Sequence, residues 1–471
     1  MTSTLTIPAV ARVVVVGGGI GGLATALVLA PRGHDVTILD RDPADLPPDT
    51  HAAWAQWPRR GVPQFRHIHL FNARGRAVLR EEAPDVLAAL HAAGAGEIHL
   101  GGPDDDELVR LTCRRTTYEL VLRRAVLEDS RVRFVGGERV VALMAQRSRI
   151  VGARTADGVQ WPADLVVDAS GRRSQVATWL SAAGLPPPEG EEDEEGSVGY
   201  TRWYRLRSEP AAALVRADLG YAAGVVGPAD DGMFCVTFGC LAEDPVMRRL
   251  RDATAFDAAV AATPTLAAWT APDRATVETG VLSMADRNNR IVRLASNGST
   301  VATGLVLLGD SAVCTNPGYG RGVGLALVHA RALAGVLAEV GEDPEAVTRA
   351  FEEVTRTELE PWYRAAVEGD RVRRGIGRRL VAGERWEAIG APGDDPAIRF
   401  ARGAPLAVER DPVVRRAFHR CFQLLDPPSE FWGSEDVRAR AEDVWREVET
   451  SPPPSAGPDH EEMGRLLAAV R

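Results

Sequence analysis

Arg12-Val13-Val14-Val15-Val16-Gly17-Gly18-Gly19-Ile20-Gly21-Gly22 is the stretch that decides the fold. Its β-branched run predicts a short strand, its glycines a turn, and residues 23–30 a helix that Pro31 and Gly33 stop. Residues 35–39 read as a second strand ending at Asp40, so the chain opens as a βαβ unit. Within the G-x-G-x-x-G pattern, Gly17 permits a tight turn, Gly19 lets a diphosphate approach the backbone, and Gly22 lets the helix pack close to the sheet. The helix amino end, opening at Ile20, presents free N–H groups to an anion. Asp40 follows 18 positions after Gly22, near the offset expected for a carboxylate on an adenosine ribose.

At roughly 100–200 residues per domain, a chain of 471 residues accommodates two to four structural units. Its 45% hydrophobic and 25% charged residues describe a globular protein rather than a disordered one. A net charge of −10 argues against a nucleic-acid-binding surface. There is no lysine, so all 55 basic residues are arginine and Schiff-base or lysine-acid chemistry is excluded. Five cysteines, Cys113, Cys235, Cys240, Cys314 and Cys421, form no C-x-x-C; they argue against a disulfide framework or thiolate zinc and fit a reducing cytoplasm. Cys235 and Cys240 share one extended run at odd spacing and are expected on opposite faces. Residues 1–11 do not read as a signal peptide, and with no uninterrupted apolar run of about 18 residues no membrane span is expected.

Residues 54–71 are rich in Trp, Pro and Arg, and helical segments follow to about residue 93. A helix is expected over 116–127, strands over 132–135, 140–144 and 165–167, and a hairpin turn at Asp157-Gly158. The acidic run 189–195 reads as a solvated loop, because like charges repel. Alternation over 199–206 and 221–241 predicts an antiparallel sheet. A strand at 304–308, a glycine-rich loop at 309–322 and a long helix at 323–340 restore α/β character, and arginine-rich helices follow from 345, interrupted at Pro392 and Pro396.

The second chemical constellation is Leu307-Leu-Gly-Asp-Ser-Ala312 with Asn316-Pro-Gly-Tyr-Gly-Arg-Gly322. The first motif alone does not separate FAD from NAD; this one does. Asp310, at a strand end, suits the hydroxyls of a ribityl chain. Amides around Gly320–Gly322, at a helix amino end, suit the N1–C2=O edge of an isoalloxazine. That partial positive charge is worth up to about 2 kcal/mol and favours the anionic reduced flavin.

Together these motifs resemble the flavoprotein monooxygenases of the para-hydroxybenzoate hydroxylase type. Within that superfamily the chain is most similar to bacterial oxidoreductases and epoxidases of natural-product pathways, themselves similar to squalene epoxidase. The supporting signatures are Arg59-Arg-Gly-Val-Pro-Gln64 with His67 and His69, Arg115-Thr-Thr-Tyr-Glu119, and Asp168-Ala-Ser-Gly-Arg-Arg-Ser174. The resemblance implies a split FAD-binding α/β domain of the Rossmann-like, glutathione reductase type, with an inserted antiparallel-sheet substrate domain and a helical C-terminal region. The expected boundaries are 1–185 for the first FAD-binding parts (with an insertion at about 50–107), 186–298 for the substrate sheet, 299–342 for the last FAD-binding part and 343–471 for the helical region.

By matching position, Gly17, Gly19, Ile20 and Gly22 would serve the FAD diphosphate and Asp40 the adenosine ribose. Arg59 would lie near the phosphate and ribityl portion, Arg115 along the cofactor, and Val140 against the adenine through its backbone. Asp310 would hold the ribityl chain, with Pro317, Gly320 and Gly322 bordering the ring. An ion-pair role is the alternative for both arginines. Ser170 stands where many members carry an aspartate, which puts direct NADPH or NADH docking in question and brings in a separate flavin reductase as a possible partner.

The implied activity is hydroxylation or epoxidation, through a C4a-hydroperoxyflavin, of a small hydrophobic or aromatic natural-product-like substrate with O₂. An FAD-dependent reductase or dehydrogenase of an isoprenoid-like double bond, and a non-redox flavoprotein cyclase, are the alternatives. A halogenase would need a lysine. No catalytic side chain stands out, because the cofactor carries the bond chemistry. No metal site is expected: His67 and His69 lack a third ligand nearby. Cys314 and His329 read as packing and structural residues, and Trp203, Tyr204, Tyr221 and Phe234 as core aromatics.

Overall fold

The computed structural model describes residues 10–102, 105–193, 196–208, 214–285, 288–296, 299–341 and 343–470. Five strands, β1 (Arg12–Val16), β2 (Asp35–Asp40), β3 (Val132–Gly136), β4 (Leu165–Asp168) and β5 (Leu305–Leu307), form a parallel sheet in the order β5-β4-β1-β2-β3. The valines of β1 alternate between two cores: Val13 and Val15 enter one, Val14 and Val16 the other. Burial on both faces is why the run has no polar alternation. Helices α1 (Ile20–Leu29), α2 (Arg115–Glu128) and α3 (Gly322–Val340) cover the first face. A three-stranded antiparallel sheet (Val140–Gln146, Arg149–Thr155, Gln160–Pro162) and part of the helical C-terminal region cover the second. The Asp157-Gly158 turn joins the last two of those strands, with Gly158 at φ +92°.

A six-stranded antiparallel sheet is built around Ser197–Leu206 paired with Met233–Leu241, in a register that sets Trp203 opposite Cys235 and Val198 opposite Cys240. Cys235 and Cys240 do enter different clusters, as their odd spacing predicted. One face of this sheet packs on helices Ala253–Ala261 and Pro264–Thr270. Val372, Ile376 and Leu380 of α4 (Glu360–Val381) join the same core. Pro396 opens the helix Pro396–Arg410, where a proline costs no hydrogen bond.

The acidic run is not a loop over its described part. Glu189–Asp193 is a strand paired antiparallel with Asn289–Arg293, and residues 194–195 lie outside the described residues. Arg293 meets Glu191 at 2.8 Å and Arg374 meets Asp193 at 3.0 Å, so distant cations relieve the local repulsion. Among the described residues one helix, α3, is long and apolar enough to cross a membrane; 67% of that window is buried inside the protein, where it packs against α1 and the sheet.

The closest backbone approach lies at the start of α1: a Cβ added at Gly22 would stand 1.9 Å from the Gly17 carbonyl oxygen. Gly22→Ala must therefore push α1 off the turn. Urea denaturation is expected to show a loss of about 1–3 kcal/mol, the usual cost of overpacking; an unchanged midpoint would contradict this packing.

Candidate functional site

Parallel strands end on one edge, so the turns after β1, β4 and β5 are neighbours. Gly17 turns at φ +106° and donates its N–H to Leu39 O at 2.8 Å. The turn after β4 is tied to β1 by Ala169 N–H to Val16 O (2.9 Å) and to β5 by Leu308 N–H to Asp168 O (2.9 Å). A Cβ on Gly21 would touch Leu308 Cδ2 at 3.1 Å, which brings the glycine turn around Ile20 beside the segment carrying Asp310. Gly19 faces the other way: a Cβ there would meet nothing within 4 Å. Neither α1 nor α3 has a side-chain cap on its amino end.

Beneath the glycine turn lies a buried charge network. Arg59 gives Nη1 to Asp40 Oδ2 and Asp42 Oδ2 (2.9 Å each), Nε to Glu119 Oε1 (2.6 Å) and Nη2 to Gly18 O (3.1 Å). Arg123 gives Nη2 to Asp40 Oδ2 (2.8 Å) and Gly18 O (3.2 Å). Arg115 closes the set, with Nε on Glu119 Oε2 at 3.2 Å and Nη1 on His69 Nε2 at 3.0 Å. Burial pulls the Arg59 guanidinium down, but Glu119, Asp40 and Asp42 outweigh it and hold the cation firmly protonated. Arg59 and Arg115 are both ion-paired in this network. Asp40 is buried with one oxygen shared by two arginines; among the described residues its other oxygen accepts only the Asp42 N–H, at 3.2 Å. Val140 opens its strand at a bulge, two residues after Glu138, whose N–H donates to Asp40 O at 2.9 Å.

Asp310 makes no ion pair among the described residues. Burial pushes its carboxyl above the ordinary range, and Arg172, Arg115 and Arg290 offset this only in part. Arg290 Nη2 is buried without a hydrogen-bond partner among the described residues. Cys314 is pushed up to about 12, chiefly by burial and then by Asp310, so its thiol stays protonated and it packs as a small residue. Asp168, the first residue of the middle signature, accepts from Ser170 Oγ and Ser174 Oγ (2.5 Å each) and from Ser311 Oγ (3.3 Å); it binds that signature to the Asp310 loop. Downstream, Pro317 is exposed, Gly320 turns at φ +64° against Leu70, and a Cβ on Gly322 would lie 3.4 Å from Asp310 Oδ1.

The histidine pair divides. His69 donates Nδ1–H to His67 O at 3.0 Å and accepts from Arg115, while His67 meets Thr201 Oγ1 at 3.1 Å. Burial and then Arg115 hold His69 well below the usual range, so it stays neutral. No group of three or more metal-ligating side chains occurs among the described residues. The sequence reading missed Arg123 and Asp370, quoted Asp168 without its serine partners, and took His329 as structural, which its bonds to Gly309 N–H and Thr355 Oγ1 match. The partners of Arg123 and Asp370 lie far along the chain, which is why local motifs do not show them.

An ionised Asp310 costs the ligand-free fold stability, since its folded pKa is raised. Asp310→Asn is therefore expected to raise the thermal midpoint of the ligand-free protein at pH 7. The gain should vanish once the pH falls below the unfolded carboxylate value of about 3.9. A midpoint that drops at pH 7 would contradict this account.

Residues 12–95 match the family model described as FAD dependent oxidoreductase. Protein Rv3254 of Mycobacterium tuberculosis is 26% identical over 459 residues, covering 88% of this chain and 89% of that one. A kynurenine 3-monooxygenase of Salinispora tropica is 31% identical over 179 residues, 35% of this chain and 37% of that enzyme's length. Among solved structures, the flavin-dependent brominase Bmp2 superposes with a TM-score of 0.59 at 15% identity, covering 93% of this chain and 99% of that one; at this identity the likeness is one of fold. The chain is an FAD-dependent oxidoreductase with monooxygenase homologues.

Proposed function

We propose that the protein is a flavin monooxygenase that hydroxylates or epoxidises a small hydrophobic or aromatic substrate. The observation that carries this reading is the contact between the glycine turn and the Asp310 segment, because an extended dinucleotide must meet both. The donors and acceptors fit FAD. Open backbone at Gly19, the uncapped amino end of α1 and the positively charged surroundings of Asp310 suit a diphosphate and a ribityl chain. Arg290 Nη2, buried and with no partner among the described residues, is a donor that an acceptor on the cofactor would satisfy. In this reading Asp310 takes ribityl hydroxyls, Arg115 and Val140 line the cofactor, and Asp40 offers its less engaged oxygen to the ribose. Arg59 braces the turn from below. Pro317, Gly320 and Gly322 border the ring at the amino end of α3, whose partial positive charge favours negative charge there.

Bound FAD supplies storage of a reductant's electrons and activation of O₂. The chain supplies position and exclusion of water. Leu70 packs against Gly320, and Trp203 Nε1 donates to Arg66 O at 2.7 Å, so residues 66–70 tie the ring loop to the antiparallel sheet. Trp54, Ile68, Trp203, Met233 and Leu282 form an apolar cluster at that junction, which suits a hydrophobic substrate. The finer kinship to natural-product epoxidases similar to squalene epoxidase belongs to the same proposal, as does a reducing cytoplasmic setting for five buried free thiols.

Asp168 is engaged by three serine hydroxyls and leaves no carboxylate at the middle signature to receive a nicotinamide cofactor. NADPH or NADH is therefore assigned as the distant electron source, through a separate flavin reductase. The same feature favours one second reading, an FAD-dependent reductase of an isoprenoid-like double bond.

Two experiments follow. Gly19→Val meets no neighbour and sits at φ −80°, so it should fold like the parent yet purify without flavin absorbance; a yellow variant would remove the diphosphate from this turn. Protein with reduced FAD, given isotopically labelled O₂ and a panel of polyene, polyketide and aromatic compounds, should yield a product carrying one labelled oxygen. A product that gains hydrogen and no oxygen would select the reductase instead.

A further inference from the structure

The helical C-terminal region meets the ring loop along one face of α4. Trp362, Ala366, Gly369, Asp370 and Arg373 recur at helical spacing, and each touches the segment 316–321. Asp370 is buried and gathers donors from three parts of the chain. Asn289 Nδ2 reaches it at 2.7 Å, Asn316 Nδ2 at 3.1 Å and Tyr319 OH at 3.3 Å, and Arg373 pairs with it. Asn316 in turn gives its backbone N–H to Asn289 Oδ1 (2.7 Å), accepts the Gly318 N–H (2.9 Å) and donates to Ser197 Oγ on the first strand of the antiparallel sheet (3.2 Å). Gly369 has no side chain because a Cβ would stand 2.5 Å from the Tyr319 hydroxyl, which also donates to Ala366 O at 3.0 Å. Arg321, the residue before α3, lies over the rings of Tyr319 (4.4 Å) and Trp362 (4.9 Å).

We propose that Asp370 is a positioning residue for the flavin: from the C-terminal region, it holds the Asn316–Arg321 loop, and with it the amino end of α3, in the arrangement the isoalloxazine meets. This rests on the FAD site described above. Its chemical content is the carboxylate's capacity to accept from several donors at once. An amide at position 370 turns an NH₂ toward the Asn289 or Asn316 donors, so the loop must shift even though the side chain keeps its shape.

The test uses full-length protein. Asp370→Asn should weaken FAD binding about tenfold or more, the scale of one lost hydrogen bond to a charged group, and shift the flavin midpoint potential. Asp244→Asn is the control. Asp244 is equally buried and holds His460 and the Val246 and Met247 N–H groups, away from the loop. This control should lower the thermal midpoint yet leave FAD affinity and potential at parental values. Tyr319→Phe, which removes the one hydroxyl proton shared between Ala366 O and the Asp370 carboxylate, should weaken FAD binding about threefold or more, the scale of one net hydrogen bond, and serves if Asp370→Asn does not fold. Parental affinity and potential in Asp370→Asn, or parental affinity in Tyr319→Phe, overturns the proposal. A parent protein that takes up no FAD at all fails the site reading itself, a distinct result.

Discussion

Three guanidinium groups and three carboxylates are buried together beneath the turn after β1, and the shape of that turn depends on their balance. Arg59, Arg115 and Arg123 face Asp40, Asp42 and Glu119. Two of the cations also hold the Gly18 carbonyl, so the backbone is gripped from below while Gly19 stays bare above. Burying any one of these charges alone would cost several kcal/mol. As a closed set they instead fix geometry, because removing a member strands its partners in low dielectric. Arginine is the suitable cation here: its planar fork serves several acceptors at once, as Arg59 does with three carboxylates and a carbonyl.

What was legible in the sequence were the positions whose reason is local. Gly17 needs a left-handed turn and Gly22 a close approach, and both requirements leave a glycine that can be read without coordinates. The valine run, the odd spacing of Cys235 and Cys240 and the Asp157-Gly158 turn belong to the same class. The surroundings of those motifs were not legible, because they are assembled from remote segments. Arg59 meets Glu119 across 60 residues and Arg123 meets Asp40 across 83, and nothing in either neighbourhood announces the pairing.

The acidic run fails for the same reason in reverse. Repulsion among neighbouring glutamates is a sound local argument, but Arg293 lies 102 residues from Glu191 and Arg374 lies 181 from Asp193. Their arrival converts a solvated segment into a paired strand. Tyr204 and Phe234 enter the core with the helices while Trp203 turns to the opposite face, toward residues 54 and 68. Composition could say that aromatics would be buried; only the register could say which of them faced the ring loop.

The loop from Gly309 to Gly322 shows how such remote contacts bear on function. Its two positive-φ residues, Gly309 at +60° and Gly320 at +64°, are free of the usual steric restriction, so by themselves they would leave the loop soft. Each sits beside a pin from elsewhere. Gly309 N–H donates to His329 Nδ1 at 3.2 Å, and His329 Nε2 meets Thr355 Oγ1 at 3.0 Å. Burial pushes that imidazole down to about 3, so near neutral pH it stays neutral and keeps accepting the Gly309 N–H. At the other end, Asp370 and Asn316 hold the approach to Gly320. With both ends held by buried hydrogen bonds from remote elements, the N–H groups at the amino end of α3 are set when the chain folds. Their orientation therefore need not be reorganised during the reaction, and that is the condition under which fixed dipoles are most effective on developing charge.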